Sequence, residues 1–100
     1  MNFYIVAMIN KNIIKIRKEL DKLDDQLLNI IKKRTKLVNQ VIINKKFKKD
    51  IVDQKRISII LRNISLKSKQ KGLDPKITNR IWKSMIKAFI DYEFRNFKKD

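Results

Sequence analysis

The chain has 100 residues, enough for one small domain, and carries 26 Lys and Arg against 10 Asp and Glu, a formal net charge of +16 at pH 7. It contains neither cysteine nor histidine, which excludes disulfide scaffolds, thiol nucleophiles, Ser/His hydrolases and Cys- or His-ligated metal centres. A single glycine and a single proline leave no glycine-rich phosphate loop and few breaks between elements, so the chain reads as all-α.

Residues 3–9 (FYIVAMI) are too short for a signal sequence and lack both a preceding basic stretch and a small-residue cleavage site. No apolar run approaches the roughly 20 residues that span a bilayer. The expectation is a cytoplasmic protein without a membrane partner. Residues 1–10 form an N-terminal extension ahead of a helical domain over 11–100.

From Ile13 the apolar residues fall at 13, 16, 20, 23, 27 and 30, alternating steps of three and four that draw one stripe along a helix. The same rhythm continues through 34, 37, 41 and 44, and position 34 is Arg34. Lys45 lies eleven residues beyond Arg34, close to three turns, so both cations project from one face. The pattern predicts a helix over about residues 11–47. At about 1.5 Å per residue it exceeds 50 Å, roughly twice what a compact fold of this size accommodates. One chain cannot bury such a stripe, so the length predicts a second copy packed along it by two-fold symmetry.

A lysine-rich loop (Lys45, Lys46, Lys48, Lys49, Asp50) leads to a second periodic segment, in which Ile57, Ile60, Leu61 and Ile64 share a face. This predicts a helix over about 53–69 with Asp53 as its N-cap. In KGLDPK, Gly72 suits a left-handed C-terminal position, Asp74 the next N-cap and Pro75 the first helical turn. A third helix follows over about 75–97. Its stripe reads Trp82, Ile86, Ile90, Glu93, Phe97, so Glu93 interrupts an apolar face as Arg34 does on the first helix.

A charge at a core-facing position is costly unless it is paired or serves a ligand. Arg34, Lys45 and Glu93 therefore admit two readings. In one, Arg34 and Glu93 form a buried salt bridge, or the stripe curls and leaves the charges solvated. In the other they converge on a positively charged pocket whose natural ligand is a small dianion held by bidentate arginine contacts.

The ordered set of Ile16-Arg17-Lys18-Glu19-Leu20-Asp21-Lys22-Leu23-Asp24, Leu27-Leu28, Arg34, Lys45, Asp53-Gln54-Lys55-Arg56 and GLDP resembles the all-helical, type II chorismate mutase family over about residues 13–97. The resemblance implies three helices per chain, a very long first helix and an intertwined helical homodimer. It also implies the Claisen rearrangement of chorismate to prephenate, on the route to phenylalanine and tyrosine, with no cofactor and no metal. By position in the family pattern, Arg34 clamps a substrate carboxylate, and Arg17 reaches across the dimer to a carboxylate in the neighbour's pocket. Lys45 binds a carboxylate and donates to the ether oxygen. Asp53 meets the substrate hydroxyl through its backbone, and Arg56 supports the loop or a carboxylate.

Three positions depart from the commonest bacterial pattern. Ile57 stands where a glutamate accepts from the substrate hydroxyl, Phe89 where a small hydroxyl residue is usual, and Glu93 where a glutamine donates to the ether oxygen. Only a protonated carboxyl donates such a bond, so the catalytic role of Glu93 requires its neutral form. Ile57, Phe89 and the aromatic-rich end (Phe89, Tyr92, Phe94, Phe97) also resemble the related isochorismate pyruvate lyases, which form salicylate on the same fold. A third, more remote reading follows from the net charge and the lysine clusters at 45–49 and 67–71: a basic helical dimer that binds nucleic acid. Against it, the lysines surround every helix, no helix-turn-helix or basic zipper is present, and Arg34 lies on an apolar stripe. Lys, Ile and Asn make up 47 of the 100 residues, the set that A+T-rich codons supply. Most of the lysines therefore read as compositional drift, whereas Arg17, Arg34, Lys45 and Arg56 stand apart by spacing.

Overall fold

The computed structural model describes residues 2–99. Among them are three α-helices, α1 (Phe3–Asn44), α2 (Gln54–Gln70) and α3 (Pro75–Asn96), one 3-10 turn at Lys48–Asp50, and no strand. The fold is all-α, with a first helix of 42 residues. Contacts divide the chain into two compact units, Met1–Thr35 and Lys36–Asp100.

The N-terminal unit is helical from Phe3, not from about residue 11. Asn2 supplies the start signal: its Oδ1 accepts from the Tyr4 amide at 2.9 Å and its carbonyl from the Val6 amide at 3.2 Å, a side-chain cap followed by a regular helical bond. No glycine or proline lies between Asn2 and the periodic segment, so nothing stops propagation. Every residue from 8 to 33 is exposed. The stripe residues Ile13, Ile16, Leu20, Leu23, Leu27 and Ile30 are among them, and the unit by itself gives this apolar face nothing to pack against.

In the C-terminal unit, α1 ends at Asn44, three residues short of the expected boundary at 47. The Lys45 amide divides its bond between the Val41 and Ile42 carbonyls at 3.0 and 3.3 Å, a tightening common at helix ends. Asn44 Nδ2 donates to the Gln40 carbonyl at 2.8 Å. Phe47 then opens a new turn, in which its amide donates to Asp50 Oδ2 at 3.2 Å and its carbonyl accepts from the Asp50 amide at 3.0 Å. The expected lysine-rich loop thus contains a short closed turn, with Lys49 Nζ 5.4 Å from the centre of the Phe47 ring.

Local chemistry sets the ends of α2 and α3. Asp53 Oδ1 accepts from the Arg56 amide at 3.0 Å, and Asp74 Oδ1 from the Lys76 amide at 2.9 Å, both N-cap bonds. Pro75 occupies the first turn of α3, where its missing N–H is no loss. Gly72 takes φ +72°, while its amide bonds to the Lys69 carbonyl and the Leu73 amide to the Ser68 carbonyl. This pair of bonds is a Schellman ending, and it requires the left-handed residue that glycine supplies.

The two helices pack against each other through the faces the periodicity marks. Ile57, Ile60, Leu61 and Ile64 of α2 are half-buried, as are Trp82, Met85, Ile86, Phe89 and Ile90 of α3. Near the connection, buried Ser68 shares a 2.7 Å hydroxyl bond with Thr78, fixing how the hairpin closes. Only Ile42 and Ile51 are buried apolar residues among those described, beside the polar Ser68 and Glu93.

Candidate functional site

The C-terminal unit brings Lys45 and Glu93 together. Lys45 stands one residue past α1, so its stem is freed from the helix. Its ammonium donates to the Ile51 carbonyl at 3.1 Å and lies 3.4 Å from Glu93 Oε1. The turn at 47–50 is what delivers that carbonyl, and Ile51 is only 2% exposed. Glu93 arrives from α3 at the stripe position that the periodicity picks out, and its side chain is 9% exposed against 21% for Lys45. Glu93 thus forms an ion pair with Lys45, joining residues 48 apart in the chain.

Lys45 also lines an open groove of about 410 Å³ with Leu37, Gln40, Val41 and Asn44. These positions run i, i+3, i+4, i+7 and i+8, one face of a helix, so the end of the apolar stripe forms the groove wall. The cation thus stands where an apolar trough meets a buried carboxylate. Above the pair, Tyr92 donates its hydroxyl to Asn39 Oδ1 at 2.7 Å, tying α3 to α1 one residue before Glu93. The Phe89 ring meets that of Tyr92 edge-on, with centroids 6.4 Å apart and planes at 83°, a favourable aromatic geometry.

The remaining expected site residues are placed as follows. Asp53, Arg56 and Ile57 form the start of α2: the Asp53 carbonyl accepts from the Ile57 amide at 3.0 Å, Ile57 is half-buried and Arg56 is exposed. Phe89 lies one turn before Glu93 on α3 and is half-buried. Arg17 and Arg34 belong to the N-terminal unit, Arg17 exposed and Arg34 half-buried. Spacing did not single out the Ile51 carbonyl, Asp50 or Asn39. A carboxylate three residues after Phe47 was the available signal for the turn, since that spacing closes capping boxes.

Among the described residues no group of three or more His, Cys, Asp or Glu is placed to hold a metal ion. Among the same residues no helix is long and apolar enough to cross a membrane. A model of the chorismate mutase type II family matches residues 16–94. The chain belongs to the chorismate mutase type II family. The match runs from the stripe of α1 to the residue after Glu93, so both members of the ion pair fall inside it. No curated protein and no solved structure matches the chain.

Proposed function

We propose that the protein is a chorismate mutase that converts chorismate to prephenate. The observation that carries this reading is the Lys45–Glu93 pair at the end of an apolar groove in a chain of this family. In the reaction the ether C–O bond breaks as a new C–C bond forms within one molecule. No group is transferred to the protein, so catalysis consists of holding the reactive conformer and meeting the charge that builds on the ether oxygen. The Lys45 ammonium supplies one hydrogen bond to that oxygen. Glu93, whose Oε1 lies 3.4 Å from that ammonium, supplies a second through its carboxyl O–H. Arg34 and Lys45 bind the carboxylates of the dianion, and Asp53 and Arg56 close the site at the head of α2. Ile57 and Phe89 complete the wall around the ring.

The exposed stripe of α1 supports a homodimer in which the two long helices cover one another, and Arg17 of the partner subunit completes the anion site. This reading places the protein in the cytoplasm, as an enzyme of aromatic amino-acid biosynthesis. A second reading, isochorismate pyruvate lyase, draws on half-buried Ile57 and Phe89: Ile57 offers a substrate hydroxyl no side-chain partner, and Phe89 is a bulky ring where the family pattern has a small hydroxyl residue. Incubation of the purified protein with chorismate, followed by loss of its absorbance and identification of prephenate, tests the proposal. Catalysed formation of prephenate supports it; a rate equal to the uncatalysed one refutes it.

A further inference from the structure

A helix ends with carbonyls that have no partner inside it, and the last turn of α1 contains no basic residue to meet them. The segment after α3 does so instead. Phe97 leaves the helix with extended backbone angles, φ −75° and ψ 122°, and is half-buried. Two residues later, Lys99 Nζ donates to the Ile43 carbonyl and, at 3.1 Å, to the carbonyl of Lys45 itself. One lysine thus holds the backbone of the other, whose ammonium faces Glu93 on the helix from which the segment departs. The path from Glu93 through α3, Lys99 and the Lys45 backbone back to the Lys45 ammonium is a closed ring around the ion pair.

We propose that residues 97–99 form a strap across the end of α1 and that Lys99 is a positioning residue for Lys45. The strap complements the negative end of α1 with a cation and limits how far the segment 45–47 swings. The ammonium of Lys45 is thereby kept at the height of Glu93 and the Ile51 carbonyl. Lys99 touches no substrate in this arrangement; it acts through the backbone. The catalytic half of the proposal rests on the chorismate mutase reading, and the structural half does not.

The test compares the full chain with Lys99→Met, which keeps the aliphatic stem, and Lys99→Arg, which keeps the charge. Amide hydrogen exchange of Lys45 is read beside that of Leu73 in the α2–α3 connection. Steady-state kinetics on chorismate are measured on the same samples. In Lys99→Met the Lys45 amide exchanges about fivefold faster, the effect of one net hydrogen bond, and Leu73 is unchanged. The same loss appears in kcat, with KM held within about twofold, because a misplaced donor weakens the transition state more than ground-state binding. Lys99→Arg restores both. Unchanged exchange at Lys45 overturns the strap. Faster exchange with unchanged kcat overturns the positioning role, as does an equal loss in Lys99→Arg. A parent protein inert toward chorismate refutes the functional reading alone, and the exchange arm then still decides the strap.

Discussion

Replacing Lys45 by methionine separates what the ion pair does for folding from what it does for turnover. The stem is retained, but the Ile51 carbonyl and the Glu93 carboxylate lose their common donor. Because the Lys45 side chain is 21% exposed, water reaches the pair in part. The penalty is that of unsatisfied, partly buried acceptors, about 1–3 kcal/mol, less than that of breaking a sealed ion pair. In a chain of this size that lowers Tm by roughly 5–15 °C in calorimetry at fixed protein concentration. Adding Glu93→Gln removes the charge that needed a partner, so the double variant recovers part of the loss, a coupling of about 0.5–3 kcal/mol. Turnover behaves differently. In Lys45→Met kcat/KM falls by about 10²- to 10³-fold, the usual worth of one donor aimed at developing charge, and the double variant does not regain it. Chorismate turnover at the parent rate in Lys45→Met, or its return in the double variant, would refute the catalytic assignment of Lys45.

Three further outcomes are expected. Glu93→Gln keeps a hydrogen-bond donor at the end of the groove and retains chorismate turnover, whereas Glu93→Leu loses about 10²-fold in kcat/KM; full activity in Glu93→Leu would defeat the role of Glu93. Leu23 is 57% exposed, and burying the rest of a leucine contributes roughly 1 kcal/mol, twice over in a two-fold interface. Leu23→Lys therefore shifts sedimentation from dimer toward monomer, whereas a monomeric parent would contradict the expected assembly. Gly72→Ala meets no atom within 4 Å but forces an L-residue to φ +72°, a strain of about 1–2 kcal/mol. A lower denaturation midpoint with unaltered m-value is expected, and an unchanged midpoint would refute the Schellman reading.

How much was legible in the sequence depends on how local each determinant is. Asp53, Gly72, Asp74 and Pro75 act within three or four residues, so the ends of α2 and α3 could be read directly. Periodicity marked the face that packs α2 on α3, and it marked the stripe of α1 together with the difficulty of burying it. The two ends of α1 were misjudged for equally local reasons: Asn2 caps the helix earlier than the stripe begins, and the Phe47–Asp50 turn takes over before the stripe runs out. Glu93 stood out as a charge on an apolar face, but spacing did not single out Lys45 as a partner, and the two form an ion pair. Lys99 and Asn39 carried no signal. Their partners lie 53 to 56 residues away, and one more lysine in a chain with 20 of them looks like background until the fold brings it to a helix end.

The central claim is that this family member uses the Lys45–Glu93 pair to rearrange chorismate. The most direct measurement offers the purified protein chorismate and isochorismate in parallel and identifies the products of each by NMR. The account predicts prephenate from chorismate, with no pyruvate released. Pyruvate from isochorismate with chorismate left intact, or no catalysed conversion of either, would contradict it.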